Sequence, residues 1–386
     1  MRGRSGSHRC WVDAPLVRID MSAERHPLTR RDGLPCWHFQ QGPIDLVIVA
    51  EGNAAVVADA FEAAWQRFEA VLPELVAELP ALRRGVAGPC PVQGVIARRM
   101  WHACAPFQAG FITPMAAVAG AVAQELIACF ERSGICRAWV NNGGDIALHL
   151  APGTSARVGL FADLARFDPR APDLRTDANF VIHAAMPVRG IATSGWRGRS
   201  FSLGIADSVT VLALTAAQAD AAATVIANVV NVVVARIERC AANALSDDSD
   251  LGDIEVTVGV PVLEVAQVDG ALQAGRLRAI ELQRAGLIHS AVLVCQGRFV
   301  GVGASAFIDD PHPCPLPLAG EGGIRASLAP AVAPRATRLP LPLAGEGGIR
   351  ASLAPAVGAR AGRLPLPLSG EGWGEGAAVA FTPSFA

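Results

Sequence analysis

The sequence predicts an α+β fold, a layered sandwich of antiparallel sheet and helices, over residues 36–310. Three observations carry this. Short β-branched and apolar runs outnumber helical ones, which disfavours a doubly wound parallel sheet. Several of those runs are spaced as hairpins. Both ends of the chain lack the apolar periodicity that a packed element needs.

Taken in order, residues 1–35 are Arg-rich and aperiodic, without the apolar core of a signal peptide, and are expected to form a loose, disordered leader. Trp37–Phe39 and Ile44–Ala50 flank Gln40–Pro43 and read as a hairpin. In Asn53–Leu79, Val57, Phe61, Ala64, Trp65, Phe68, Leu72 and Leu75 recur at three- and four-residue steps. That spacing predicts a helix, divided at Pro73, where a backbone donor is missing. Phe111–Phe130 reads as a second helix, with Thr113 as N-cap and Pro114 as first residue. Strands are expected at Ile135–Asn141, Ala147–Leu150, Val158–Phe161, Phe180–Ala185, Gly190–Thr193 and Ile205–Leu214. A long helix, Ala216–Ile237, follows; Glu255–Val260, Ala291–Val294 and Arg298–Val302 supply further strands. The tail, 311–386, carries PLPLAGEGGIR at 315 and again at 340, 25 residues apart, and PLPLSGEG at 365. Its Pro, Gly and Ala bias predicts a disordered low-complexity segment.

Composition excludes several chemistries. The 33 basic and 35 acidic residues leave a net charge of −2, so there is no basic excess for a nucleic-acid partner. Lys and Tyr are absent, which removes a Schiff-base lysine, a Walker A lysine and a tyrosine acid. The nine cysteines are odd in number and form no C-x-x-C, as expected for free thiols in a reducing, cytoplasmic compartment. The two most apolar stretches, 111–130 and 213–235, contain Gln124, Glu125, Asp220, Asn228 and Asn231 and read as buried helices rather than membrane spans.

Four segments can carry chemistry. Asn141-Asn142-Gly143-Gly144-Asp145 follows a strand, and its glycines allow close approach to a ligand; an ordinary hairpin turn explains the same letters. Thr193-Ser194-Gly195 offers two hydroxyls that can meet a phosphate or a ring edge, or cap a loop locally. Asp220 and Thr224 stand four apart on a helix and so share a face, an oxygen pair suited to a hard cation; a helix-terminal acid is the structural reading. Gly301-Val302-Gly303-Ala304-Ser305-Ala306 fits a dinucleotide fingerprint, but no helix and second strand can follow it. The histidines show no metal spacing.

In combination, G-G-D, then T-S-G, then the strand Ser208-Val209-Thr210-Val211, then A-D-A-x-A-T on a helix, resemble the ApbE-like superfamily, whose named members are FAD:protein FMN transferases. Gly42–Leu46, Arg98-Arg99-Met100 and Pro114–Gly120 resemble an uncharacterised branch of it. The resemblance covers about 36–308 and implies a T-fold-like body binding FAD or a related flavin nucleotide with Mg²⁺. On that basis Asp220 and Thr224 would be metal ligands, and Gly143, Gly144, Asp145, Thr193, Ser194 and Gly195 would line the flavin site. The implied partners are a small-molecule nucleotide and an acceptor protein whose Thr or Ser hydroxyl receives FMN. The alternative is a non-catalytic or different-ligand binding protein on the same scaffold. One departure separates the two. The family's His-containing stretch after T-S-G is replaced by the 12 residues Trp196–Asp207, without His or Pro, in which Arg197 and Arg199 remain to meet a phosphate.

Overall fold

The structure, a computed structural model, describes residues 22–30, 32–160, 178–198, 200–247, 249–303 and 381–382. Its centre is a nine-stranded antiparallel sheet in the order β1-β2-β3-β4-β5-β8-β9-β12-β13. These strands are β1 (Glu24–Leu28), β2 (Cys36–Gln41), β3 (Ile44–Gly52), β4 (Ile135–Asn142), β5 (Asp145–Leu150), β8 (Gly190–Ser194), β9 (Ser208–Ala213), β12 (Ser290–Cys295) and β13 (Arg298–Val302). The α+β class and the antiparallel pairing agree with the expectation.

Side chains alternate across this sheet, as a strand period of two dictates. Leu46, Ile48 and Ala50 of β3, with Val209 and Val211 of β9, face the helices: α1 (Ala54–Leu82), α2 (Val95–Cys104), α3 (Val118–Ile127), α4 (Ala216–Val229) and α6 (Val265–Arg284). Val49, Leu212, Val292 and Val294 face the opposite way, into a smaller core under the hairpin of β6 (Ser155–Leu160) and β7 (Ala178–His183). Elsewhere β10 (Glu238–Ala241) pairs with β11 (Glu255–Gly259) beside the short α5 (Ala242–Leu245), and β14 (Phe381–Thr382) pairs with β6.

Four expectations need correction. The segment expected to be a loose leader contains β1, whose Arg25 guanidinium lies 5.6 Å from the Trp37 ring and 5.0 Å from the Trp65 ring and pairs with Glu62 at 2.8 Å. These contacts tie an edge strand, in which Pro27 is tolerated, to α1. Pro73 does not divide α1. The carbonyl that Pro73 orphans is that of Glu69, and Gln41 Nε2 donates to it at 3.4 Å. Residues 111–130 are not one helix: a 3-10 turn, Pro114–Ala117, precedes α3, and another, Ala128–Phe130, follows it. Helix α4 stops at Val229 rather than Ile237, where the run of β-branched valines begins. Helices α2 and α6 were not expected, although Val268, Ala271, Leu272, Gly275, Ala279 and Leu282 make a regular buried stripe on α6. Residues 1–21 of the leader and nearly all of the repetitive tail lie outside the described residues.

Candidate functional site

Three structural joints bring the chemistry-bearing segments together. The first is the β4–β5 hairpin. Gly143 and Gly144 turn it with φ of 64° and 107°, both in the left-handed region that glycine adopts without strain. The Asn141 side chain accepts from the Gly144 N–H at 2.8 Å. The hairpin-turn reading of these letters therefore holds, and the turn also faces a cleft.

The second joint is the end of β8. The Asp145 carboxylate accepts from the Thr193 N–H at 3.1 Å, locking the G-G-D turn to the T-S-G strand end. The Thr193 hydroxyl pairs with the Thr210 hydroxyl at 2.9 Å, on a strand whose residues are all buried.

The third joint is the start of α3 against α4. The Thr215 hydroxyl caps α4 by accepting from Gln218 N–H at 3.3 Å. Asp220, one turn further in, points away from its own helix terminus. It accepts from Gly120 N–H at 2.9 Å and from Ala119 N–H, two of the unpaired donors in the first turn of α3. Asn142 donates to the Ala119 carbonyl at 3.1 Å, so hairpin, α3 and α4 meet at one point. Burial pushes the Asp220 carboxyl up to about 7 against the pull of those two N–H donors. No basic side chain pairs with it among the described residues.

Around these joints lies a cavity of about 370 Å³. Its lining includes Asn142, Gly143, Asp145, Thr193, Ser194, Gly195, Gly198, Ser200, Asp220 and Thr224. The rest of its lining is mainly apolar: Leu72, Leu75, Val76, Leu79 and Leu82 of α1, with Met100 of α2, Met115, and Val118 and Val122 of α3. Among the described residues, Arg83, just past the end of α1, is the basic residue of the lining. Small-ligand sites occupy about 300–1,000 Å³ with this mix of apolar wall and few polar groups.

Seven of the eight expected site residues thus border one cavity; Gly144 turns the hairpin without lining it. Two expectations fare differently. Arg197 is engaged within its own segment, 3.5 Å from Asp207 and 5.0 Å from the Trp196 ring centroid, and Arg199 lies outside the described residues. Arg99 bonds Glu125 at 2.8 Å, whereas its neighbour Met100 lines the cavity. Sequence reasoning missed Gly198 and Ser200. It also read Leu72 and Leu75 only as part of an apolar helix face, since a cleft wall and a core share one apolar spacing.

The arrangement can hold a cation. Asp220 and Thr224 put two hard oxygen donors on one helix face, and a desolvated carboxylate without a basic partner favours a bound positive charge. Among the described residues no cluster of three or more His, Cys, Asp or Glu forms a metal centre, so other ligands would have to come from the substrate, backbone or water. No helix among the described residues is long and apolar enough to cross a membrane.

Comparison with known proteins gives the relationship. Two UPF0280 proteins are similar to this chain. That of Methanospirillum hungatei is 37% identical over 131 residues, covering 34% of this chain and 50% of its own. That of Methanopyrus kandleri is 35% identical over 193 residues, covering 47% and 72%. The chain spans about half the length of the first of these relatives. Among solved structures, the flavinyl transferase ApbE of Pseudomonas stutzeri in its apo form is 14% identical, with a TM-score of 0.38, covering 74% of this chain and 95% of that one. The family model described as AbpE bacteria matches residues 25–301, from β1 into β13, and this chain belongs to that family.

Proposed function

We propose that the cleft binds a flavin nucleotide together with Mg²⁺, and that the protein acts on such a nucleotide as a flavin-transferase relative. The observation that carries this reading is the mixed lining of one cavity: the apolar side chains of α1 and α3 suit a flat ring system, and Asp220, Thr224 and the two turn backbones suit a metal-bound phosphate. Asp220 and Thr224 would hold Mg²⁺, which when bound neutralises charge on the pyrophosphate. Gly143 lets backbone approach the ligand, and Ser194 offers a hydroxyl beside it. In the transferase form, a Thr or Ser hydroxyl of an acceptor protein forms a bond to the FMN phosphorus of FAD. The pyrophosphate bond breaks, AMP leaves, and the hydroxyl proton passes to solvent or base. The free thiols among the described cysteines suit a cytoplasmic setting.

A second reading, a binding protein without transfer, draws on the 196–207 segment. It lacks the histidine of the transferases, and its Arg197 is taken up by Asp207. One experiment addresses both. Thermal shifts are measured with FAD, FMN and ADP, with and without Mg²⁺, and FAD is then incubated with Thr-containing acceptor peptides under mass detection. Ligand at 100 times its Kd adds about 3 kcal/mol. A Mg²⁺-dependent shift with a peptide gaining FMN supports the transferase; a shift without transfer supports the binder. No shift with any flavin nucleotide overturns both.

A further inference from the structure

Helix α4 carries a longer polar stripe than the two residues assigned to a cation. Asp220, Thr224 and Asn228 stand at i, i+4 and i+8, so all three share one face, and Asn231 follows just past the helix end. The first two line the cavity; Asn228 does not. Its side-chain oxygen instead accepts from the Leu203 N–H at 2.9 Å and lies 3.3 Å from the Ser202 hydroxyl. Asn231 donates to the Leu203 carbonyl at 3.0 Å, and Arg239 donates to that same carbonyl and to Asn231, each at 2.8 Å. Leu203 is therefore gripped on both its backbone groups. Beside it, Gly204 packs directly on the helix end. A Cβ there would sit 1.9 Å from the Ala227 carbonyl oxygen and 2.8 Å from that of Val230, so only glycine allows the approach.

The gripped residues are the far end of the segment that follows T-S-G. Its near end is tied separately, by Gly198 N–H to the Gly195 carbonyl at 3.0 Å and Trp196 N–H to the Ala206 carbonyl at 3.0 Å. Between the two ties, Gly198 and Ser200 border the cavity.

We infer that Asn228 is a positioning residue: it clamps the 200–204 segment to the helix that carries Asp220 and Thr224, so that one rigid element sets both the cation donors and the part of the cavity lining that Ser200 contributes. This rests on the ligand reading above only for its consequence. The clamp itself belongs to the protein without ligand.

The test uses the full chain, as wild type, Asn228→Ala, Asn228→Asp and Gly204→Ala. Aspartate keeps the accepting oxygen and serves as the conservative rescue. Amide hydrogen exchange without ligand reads the clamp. Asn228→Ala and Gly204→Ala should raise exchange across 200–205 by roughly tenfold, the scale of a lost hydrogen bond or two, leaving 216–226 protected; Asn228→Asp should stay near wild type. Dissociation of FMN in the presence of Mg²⁺ reads the consequence and should quicken by a similar factor in the same two variants, with association little changed. Exchange that rises equally through α4 and β9, or that stays unchanged at 200–205, overturns the inference. So does a raised exchange in that segment with FMN dissociation unaltered. Wild-type protein that binds no flavin nucleotide overturns the proposed ligand instead, and the exchange data then decide the clamp alone.

Discussion

Replacing Asp220 by asparagine should make the cation-free protein more stable at neutral pH, not less. The substitution keeps an oxygen able to accept from Gly120 and Ala119 N–H and removes only the charge. The carboxyl stands at about 7 against an ordinary 3.8, because burial disfavours its ionised form. Since the folded value is the raised one, the penalty is absent below pH 4. It grows as pH rises from about 4 to 7 and is complete above that. The difference corresponds to about 4 kcal/mol of ionisation cost. Solvent in the cavity screens part of it, leaving about 2 kcal/mol as the expected gain for Asp220→Asn at pH 8. Urea unfolding in EDTA, at steps from pH 4.5 to 8, should show wild type and variant converging at the acid end and diverging toward pH 8. Added Mg²⁺ should then stabilise wild type and leave Asp220→Asn unaffected. Parallel stability curves across that pH range would refute the argument, because they would mean that the carboxylate is as well solvated folded as unfolded.

Two further outcomes follow from other parts of the molecule. Glu125 is desolvated, but hydrogen bonds from Arg67 at 2.7 Å and Arg99 at 2.8 Å outweigh that and hold its carboxyl below the usual range. Its stabilisation is thus present above pH 4.5 and fades as pH falls through the lowered value, so Glu125→Gln should cost about 1–3 kcal/mol at pH 7 and progressively less in acid, read by urea unfolding. Two glycines should respond in opposite directions: Gly195→Ala would put a Cβ 2.5 Å from the Asp207 carbonyl oxygen and should lower stability by about 1–3 kcal/mol while displacing the T-S-G turn, whereas Gly270→Ala, in open space on α6, should raise stability by about 0.5–1 kcal/mol in the same melts.

The elements that local chemistry controls were legible in the residues. Glycine turns and alternating apolar runs marked β2, β3, β4, β5, β12 and β13 within a residue or two, because turn geometry and strand period are properties of neighbours in sequence. The oxygen pair Asp220 and Thr224 was legible for the same reason, as helix periodicity alone puts them on one face. What escaped depended on distant partners. Pro73 reads as a break until Gln41 is seen donating to the carbonyl it orphans. Arg25 reads as part of an aperiodic leader until it lies beside Trp37 and Trp65. The α1 leucines read only as one apolar helix face until they prove to line one cavity with the T-S-G and G-G-D turns. Asn228 reads as a lone polar residue until its oxygen meets Leu203, 25 positions earlier in the chain. The sequence by itself determined the local elements and the donors each could offer. Which donors share a cavity, and which are spent holding the chain around it, was decided only by tertiary packing, because a hydrogen bond depends on where its partner is brought in space.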